Sequence, residues 1–254
     1  MSKAKQPKVV NLADIKVACA NCSLYELCLP LGVKDDDLDE LESIIARRKL
    51  PKGHYLFRQN QEFNAIYALR TGSLKTFTLN SDGSEQITGF HLPGELVGLD
   101  AISSAKHPSN ARALESVSYC ELPFDQLEDL SSKMPSLQRQ LLRIMSNEIR
   151  EDTGLAILLG NSSAEERLAS LLLSLSQRFQ HRGYSSEQFN LSMSRTDIGN
   201  YLGLAVETIS RLFTRMQDHG ILNVNGKLID IIDMDALKAL TNTCPSNRAD
   251  PSTA

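Results

Sequence analysis

The chain has 254 residues, of which 41% are hydrophobic and 23% are charged, and its formal net charge at pH 7 is −4. This composition fits a globular protein of one large domain or two smaller ones, and no apolar run reaches the roughly 18 residues that a membrane-spanning helix requires. The negative net charge gives the chain no general attraction for nucleic acid, so any DNA binding has to come from a local surface.

The N-terminal sequence MSKAKQPKVVNLADIK lacks the apolar core and the cleavage site of a secretory signal, which predicts a cytoplasmic protein. The stretch CANCSLYELC follows directly and contains Cys19, Cys22 and Cys28. In a reducing compartment such a group is more typical of a metal site or a redox-active site than of a structural disulfide. The spacing alone leaves open a zinc site, a thiol couple formed by Cys19 and Cys22, and an iron–sulfur cluster.

Secondary-structure signals continue along the chain. Residues 35–48 carry apolar side chains at helical spacing, with acidic residues at the front and arginines at the back, and therefore predict a helix. Between 50 and 122, short β-rich runs separated by turn signals predict a small barrel or sandwich. Residues 124–133 predict a short helix, and 135–160 predict a long helix with a proline in its first turn, where proline is tolerated.

The C-terminal part has the pattern of a small helical domain. A capping-box signal, Ser163 to Glu166, precedes a predicted helix at 164–180. Residues 190–230 predict two more helices and then a hairpin at Asn225-Gly226. The predicted organisation is an N-terminal cysteine-containing segment (1–34), a β-rich domain (35–134), a long helix (135–160), a helical domain with a β-wing (161–240) and a disordered tail (241–254).

Residues 194–219 split into two short helices at a tight glycine turn. The second of these helices has an apolar face made of Ile209, Leu212, Phe213 and Met216. Its polar face consists of Glu207, Ser210, Arg211 and Thr214. Arginine can bind guanine and glutamate can accept a hydrogen bond from cytosine, so the pair predicts a helix-turn-helix whose second helix enters the major groove. An ordinary amphipathic helix with a solvated face is the alternative.

The long helix carries one stripe at the alternating spacing of a coiled coil. The stripe consists of Leu142, Met145, Ile149, Asp152, Ala156 and Leu159. A helix packed on its own domain also shows such a stripe, but a carboxylate is unfavourable in a core, and Asp152 therefore favours a dimer seam. Two facing aspartates oppose association, and Gly154 weakens the helix by roughly 1 kcal/mol relative to alanine. The pattern predicts a marginal dimer that another event can tip.

Together these motifs resemble the oxygen-sensing FNR/Anr branch of the CRP/FNR family of transcription regulators. The resemblance runs from about residue 19 to residue 240 and includes the cysteine spacing, a single Cys120 in the β-rich domain and VETISR at 206–211. Further stretches of the same family type are EQITGFHLPGELVGLDAI, RALESVSYCELPF, AEERLASLL and DIGNYLGLAVETISRLFTR.

The resemblance implies an α+β fold with a cyclic-nucleotide-binding-like β-roll sensor domain, a long dimerisation helix and a C-terminal winged helix-turn-helix. It implies an oxygen-labile 4Fe–4S cluster as cofactor, with Cys19, Cys22, Cys28 and Cys120 as ligands, whereas Cys244 matches no ligand. Ser23 matches a position that tunes the stability of the cluster towards oxygen. Asp152 matches a seam aspartate that keeps the cluster-free form monomeric.

The resemblance also implies the partners. Glu207, Ser210 and Arg211 match the residues that read double-stranded DNA with two-fold symmetric, TTGAT-like half-sites. The exposed turn around Gly83 matches a surface that contacts RNA polymerase. The implied function is a global regulator of anaerobic metabolism that dimerises when the cluster is bound and activates or represses promoters. It is not an enzyme, and it has no membrane partner.

Two rival functions keep the same DNA-binding class. Zinc in the cysteine site is the first, although a zinc site usually has two close cysteine pairs. A cyclic nucleotide or other effector is the second, because Gly94-Glu95-Leu96 resembles part of the phosphate-binding signature of nucleotide-binding relatives. The nearest counterpart of the rest of that signature is Ser109-Asn110-Ala111, which lacks the phosphate-pairing arginine, and Arg112 lies in the wrong register. A thiol–disulfide enzyme lacks its usual βαβ context here.

Overall fold

A computed structural model describes residues 19–241 of the chain. The predictions for the first 18 residues, for Cys244 and for the tail beyond Thr241 lie outside the described residues. Within residues 19–241, no helix combines the length and the apolar character needed to cross a membrane.

The β-rich domain is a roll of two antiparallel four-stranded sheets, with strand orders β1-β8-β3-β6 and β2-β7-β4-β5. Side chains from both sheets, among them Phe57, Leu69 and Leu74, fill the space between them. The strands are β1 (Ala46–Leu50), β2 (Tyr55–Phe57), β3 (Ala65–Thr71), β4 (Leu74–Leu79), β5 (Glu85–His91), β6 (Leu96–Val97), β7 (Asn110–Ala113) and β8 (Val117–Pro123). The predicted β-roll is confirmed, although the sequence pattern did not reveal the short strands β6 and β7.

The helix predicted over 35–48 is wrong in its second half. Helix α1 covers Asp35–Ser43, and the chain then turns into β1, which pairs antiparallel with β8. Ile44 and Ile45 fit the helical spacing, but in the structure they pack from the turn against the apolar cluster that α1 also joins. The hydrogen bonds of the β1–β8 ladder are long-range, and local spacing carries no information about them.

Helices α2 (Phe124–Lys133) and α3 (Pro135–Asn161) confirm the two predicted helices. The first turns of α3 pack on the β-roll, where Leu137 is fully buried. Further along, α3 exposes large apolar side chains such as Ile149 and Ile157. The helix therefore has one end anchored in the sensor domain and a long free surface.

The C-terminal domain confirms the predicted helix-turn-helix and its wing. Ser163 caps α4 in a complete capping box with Glu166. Three strands in the order β10-β11-β9 form the wing. The predicted hairpin corresponds to β10 and β11, whereas strand β9 and the final helix α7 were not predicted. The elements are α4 (Ala164–Gln180), β9 (Gln188–Asn190), α5 (Arg195–Leu202), α6 (Val206–Asp218), β10 (Leu222–Asn225), β11 (Leu228–Ile231) and α7 (Met234–Ala239).

The turn between α5 and α6 depends on two glycines. Gly203 ends α5 in the left-handed conformation with φ of 65°, which glycine adopts without steric cost. The backbone N–H of Leu204 donates to the Gly199 carbonyl at 2.8 Å. A Cβ atom at Gly199 would lie only 2.6 Å from the Leu204 carbonyl oxygen. The missing side chain at Gly199 thus lets the chain fold back tightly enough to place α6 across α5.

Arg167 joins the end of α3 to this turn. Its guanidinium donates to the carbonyl oxygens of Leu159 at 2.7 Å, Ser162 at 3.0 Å and Leu202 at 3.1 Å. Two of these carbonyls, Leu159 and Leu202, lie in the last turns of α3 and α5, where carbonyls lack intrahelical partners and a cation is favourable. One side chain therefore fixes where α3 ends relative to the helix-turn-helix.

We expect Gly199→Ala to destabilise the protein by roughly 1–3 kcal/mol, because the added methyl group overpacks the turn. Gly154→Ala is the matched control, since a Cβ atom there meets nothing within 4 Å. That change should stabilise the exposed helix by roughly 1 kcal/mol. Urea unfolding followed by circular dichroism measures both effects, and equal stability changes in the two variants would contradict the steric account.

Candidate metal centre and nucleic-acid interface

The cysteine segment folds into consecutive tight turns. The 3₁₀ turns Cys19–Asn21 and Tyr25–Leu27 follow one another before α1. The N–H of Cys22 donates to the Cys19 carbonyl at 3.1 Å, and the N–H of Tyr25 donates to the Cys22 carbonyl at 3.0 Å. Because each turn reverses the chain locally, Cys19, Cys22 and Cys28 are kept on one compact loop, which we call the cysteine loop (Cys19 to Val33).

Cys120 on β8 joins the three cysteines of the loop. All four are free thiols, and all four line one cavity. The rest of the cavity wall is mainly apolar and includes Leu24, Leu29, Leu41, Ala68 and Leu122. Within residues 19–241, no three His, Cys, Asp or Glu side chains are gathered in a way that could hold a single metal ion.

Burial raises the pKa of three of these thiols. For Cys28 the pKa is raised to about 12, with burial as the main cause. Burial also raises the pKa of Cys19, and the Glu42 carboxylate adds to the effect. Burial raises the pKa of Cys120 as well, although Arg70 and Arg47 act in the opposite direction. Without a metal these thiols stay protonated at neutral pH, so binding of a thiophilic metal group has to release protons.

Glu42 and Arg47 support the cysteine loop, and the sequence analysis missed both. The backbone N–H of Cys19 donates to Glu42 Oε2 at 2.6 Å, and the other carboxylate oxygen of Glu42 pairs with Arg47. Arg47 lies directly opposite Cys120 in the β1–β8 ladder. Glu42 therefore links the start of the loop to the strand beside the fourth thiol. Spacing places Glu42 on the polar face of a helix, which gave no signal of this role.

Gln140 connects the cysteine loop to α3. The Gln140 side chain is only 6% exposed, and its amide nitrogen donates to the Cys28 carbonyl at 3.4 Å. Leu29 and Val33 of the loop share one apolar cluster with Leu137 of α3. The loop thus packs directly on the anchored end of the long helix. No sequence motif predicted this contact.

The predicted dimer seam is largely open on this single chain. Leu142 is 60% exposed and Ile149 is 65% exposed, and Asp152 and Ala156 are exposed beside them. Met145 and Leu159 are half-buried, and Met145 packs on the apolar cluster of its own β-roll.

The seam aspartate also has a neighbour that the sequence did not predict. Burial raises the pKa of Asp152, and Asp100 of the same chain's β-roll adds to that shift. Burial likewise raises the pKa of Glu148 to about 7, with Asp152 as the next cause. Negative charge is therefore already crowded at this part of α3 in one chain.

The predicted DNA-reading residues lie together on one exposed face of α6. Glu207, Ser210 and Arg211 are all exposed, whereas the opposite face of α6 is buried in the domain core. Ser210 Oγ donates to the Val206 carbonyl at 2.9 Å, and Arg211 donates to Thr208 Oγ1 at 3.3 Å, so both of these contacts lie within the helix. These side chains are free to reach base edges.

The two remaining predicted residues are also accessible. Ser23 is exposed on the cysteine loop beside Cys22. Gly83 lies in the turn between β4 and β5 with φ of 80°, and its N–H donates to the Asn80 carbonyl at 2.9 Å. Leu79, at the base of this turn, is 49% exposed.

Glu95, part of the predicted nucleotide signature, already has charged partners within the protein. Its carboxylate forms ion pairs with Arg178, in the last turn of α4, and with Arg182, in the turn that follows α4. Arg112 is likewise paired, with Glu85 at 3.0 Å. Neither side chain offers its charge to a phosphate.

Comparisons with protein families and solved structures agree with this architecture. The family described as "Cyclic nucleotide-binding domain" matches residues 47–134, and the family described as "Crp-like helix-turn-helix domain" matches residues 166–240. The structure of FixK2 from Bradyrhizobium japonicum superposes with a TM-score of 0.73 at 30% identity, and the match covers 79% of this chain and 98% of that chain.

Named relatives match nearly the whole chain. "Transcriptional activator protein Anr" of Pseudomonas protegens is 52% identical, over 87% of this chain and 91% of that protein. "Fumarate and nitrate reduction regulatory protein" of Salmonella typhimurium is 51% identical, over 88% of this chain and 90% of that protein. "Anaerobic regulatory protein" of Pasteurella multocida is 50% identical, over 94% and 88% respectively. The chain therefore belongs to the FNR/Anr branch of the CRP/FNR family, whose members are DNA-binding transcription regulators and not enzymes.

Proposed function

We propose that the chain is a global regulator of anaerobic transcription that senses oxygen through its four clustered cysteines. Cys19, Cys22, Cys28 and Cys120 hold a 4Fe–4S cluster, and the protein with bound cluster dimerises on palindromic DNA with TTGAT-like half-sites. The observation that carries the proposal is the cavity lined by four thiols beside the anchored end of α3. The names of the relatives, which refer to anaerobic and fumarate–nitrate regulation, support the same function.

The donor set fits an iron–sulfur cube. Such a cluster takes one thiolate at each of four irons, and the cavity offers four thiols in an otherwise mainly apolar wall. When bound, the cluster would itself be the group that reacts with oxygen and is lost. Ser23 is exposed next to Cys22, where it is placed to affect oxygen access. The same four cysteines are the ligands of the rival zinc site, so metal content has to distinguish the two.

The cysteine loop transmits its state to α3 through direct packing. While its thiolates are ligated, the loop is held between β8 and the first turns of α3. Gln140 then donates to Cys28, and Leu137 packs with Leu29 and Val33. When the thiols are released, the loop loses its attachment to Cys120, and this packing weakens. The position of α3 thus depends on whether the loop is ordered.

Dimerisation on the far part of α3 is a balance of opposing terms. Leu142 and Ile149 expose apolar surface that a partner helix can bury. Asp152 opposes this, because two copies bring like charges together at a place where burial and then Asp100 already raise the pKa of this carboxyl. An ordered cysteine loop holds α3 in the arrangement that favours association, and a released loop leaves the monomer.

The dimer presents two copies of α6 to DNA. Arg211 and Glu207 lie on its exposed face, and a two-fold symmetric pair of such helices matches a palindromic site. The exposed turn around Gly83 is our proposed contact with RNA polymerase, which lets the bound dimer activate some promoters. At other promoters the bound dimer represses.

We expect the protein purified without oxygen to be brown and to contain about four iron and four sulfide per chain, because four thiolates ligate one cube. Exposure to air should bleach it. Cys22→Ala should lose the iron and the binding to a palindromic TTGAT duplex while the β-roll stays folded. Cys244→Ala, in a cysteine assigned no ligand role, is the matched control and should keep both. Iron and sulfide analysis and gel-shift titration measure these outcomes.

Two results would contradict this prediction. Colourless anaerobic protein with stoichiometric zinc would exclude the iron–sulfur centre. An anaerobic Cys22→Ala protein that bound the duplex as tightly as the parent protein would show that the centre does not control DNA binding.

Asp152→Ala should be dimeric in air at concentrations where the parent protein is monomeric, because the substitution removes the like charges from the seam. Asp129→Ala is the control, since that aspartate is exposed on α2, away from the seam. Sedimentation velocity of the cluster-free proteins distinguishes the two states. An aerobic monomer for Asp152→Ala would refute the assignment of Asp152 to the seam.

A further inference from the structure

Two arginines of the DNA-binding domain form ion pairs and hydrogen bonds with the turn between β5 and β6. Arg178 Nε and Nη2 lie 2.9 Å and 2.5 Å from the two carboxylate oxygens of Glu95. Arg182 Nη2 lies 2.5 Å from Glu95 Oε1, and the Arg182 side chain is only 4% exposed. Paired, partly desolvated bonds of this kind are among the more strongly directional contacts in proteins.

The same arginines also bind the backbone of this turn. Arg178 Nη2 donates to the Phe90 carbonyl at 2.6 Å, and Arg182 Nε donates to the Pro93 carbonyl at 2.6 Å. Burial acts to raise the pKa of Glu95, but Arg178 and Arg182 outweigh it and lower that pKa, so Glu95 stays ionised. Two arginines, one in the last turn of α4 and one in the turn directly after it, thus bind a carboxylate and two carbonyls of the sensor domain.

A second set of polar contacts holds α5 on β5, the edge strand of its sheet. The Ile87 N–H donates to Asn200 Oδ1 at 2.6 Å, and Asn200 Nδ2 donates to the Glu85 carbonyl at 2.5 Å. The buried Lys75 pairs with Asp197 at 2.8 Å, while Asp197 also completes the capping box at the start of α5. The first helix of the helix-turn-helix therefore covers the open edge of the β-roll.

Apolar packing continues across the same contact. Phe77, Ile87, Phe90 and Leu92 of the β-roll belong to one buried cluster with the core of the DNA-binding domain. The rings of Phe90 and Tyr201 lie 5.0 Å apart. The DNA-binding domain therefore contacts the β-roll through this apolar packing and through the polar contacts at Glu95 and Asn200.

We propose that Glu95 is a positioning residue for DNA recognition: it fixes the orientation of the DNA-binding domain on the β-roll, so that the two α6 helices of a dimer are preset for one palindromic site. A partly buried ion pair is weak evidence for stability, and in some proteins such a pair fixes a unique arrangement instead. Glu95 suits this role because it forms an ion pair with Arg178 of α4. Nearby, Asn200 of α5 binds β5, and α6 follows α5 after a tight turn. The inference rests on the proposed function, because it requires a dimer that binds two half-sites.

The test compares two duplexes, one with two TTGAT half-sites and one with a single half-site, using anaerobic protein with its metal centre intact. Glu95→Gln keeps the side-chain shape and removes the charge. We expect it to bind the two-site duplex about tenfold more weakly, because a loosely oriented second domain has a lower effective concentration at its half-site. Binding to the single half-site should be unchanged, since one domain binds it without any set orientation.

Glu165→Gln is the matched control, because it removes a glutamate–arginine pair that lies within the DNA-binding domain, to Arg215 at 2.7 Å. It should change the affinity for neither duplex appreciably. Asn200→Ala breaks the contact at its other end and should repeat the loss on the two-site duplex alone. If Glu95→Gln does not fold, the affinities of Asn200→Ala for the two duplexes are compared instead.

Equal losses on both duplexes, or no loss on the two-site duplex, would overturn the proposal. The parent protein separates this failure from a failure of the proposed function. If the parent itself binds both duplexes equally, the two-site dimer is wrong. If it prefers the two-site duplex and Glu95→Gln keeps that preference in full, only the role of Glu95 is wrong.

Discussion

The contact between the cysteine loop and the first turns of α3 is made by Cys28, which accepts from Gln140, and by Leu29, which shares an apolar cluster with Leu137. The same helix carries the predicted dimer seam and leads to the DNA-binding domain. Leu29 and Val33 of the loop are buried in the apolar cluster that α3 shares. The loop consists of short turns, and its described anchor at the start is the Glu42 carboxylate that accepts from Cys19. In the proposed mechanism, one metal group bound by the four thiols would tie this loop to β8, so gain or loss of the group would change the order of the segment that contacts α3.

In the proposed mechanism, the dimer seam converts this local change into assembly, because the favourable and unfavourable contributions to the free energy of dimerisation are similar in size. Burying one exposed leucine or isoleucine contributes roughly 1.5–3 kcal/mol, and Leu142 and Ile149 are the main contributors on the predicted stripe. The dimer buries two copies of each, while two like charges about 4 Å apart near a protein surface repel by roughly 4 kcal/mol and the lost freedom of two associating chains costs about 4 kcal/mol or more in addition. A balance this close responds to a modest shift in how α3 is held. Arg167 then carries the position of the α3 end to the helix-turn-helix, and Glu95 holds the same domain from the β-roll side.

Sequence patterns predicted the parts of this molecule that depend on local spacing. The strands around the turn at Gly83, the long helix, the capped α4 and the two faces of α6 all follow from periodicity and turn chemistry. The β1 strand was missed because its partner β8 lies about seventy residues away in sequence. The roles of Glu42 and Gln140 were missed for the same reason: each is an ordinary polar residue in its own segment and gains its function from a distant partner. Glu95 was linked to a nucleotide signature, but its partners are arginines 83 and 87 residues further along the chain.

Amide hydrogen exchange on the anaerobic protein, before and after exposure to air, tests the central claim most directly, because it reports the order of the cysteine loop and of α3 in one experiment. The account predicts that residues 19–33 and 135–145 are both protected without oxygen and lose protection together when the metal centre is lost. Loss of protection in the cysteine loop with residues 135–145 unchanged would contradict the proposed coupling.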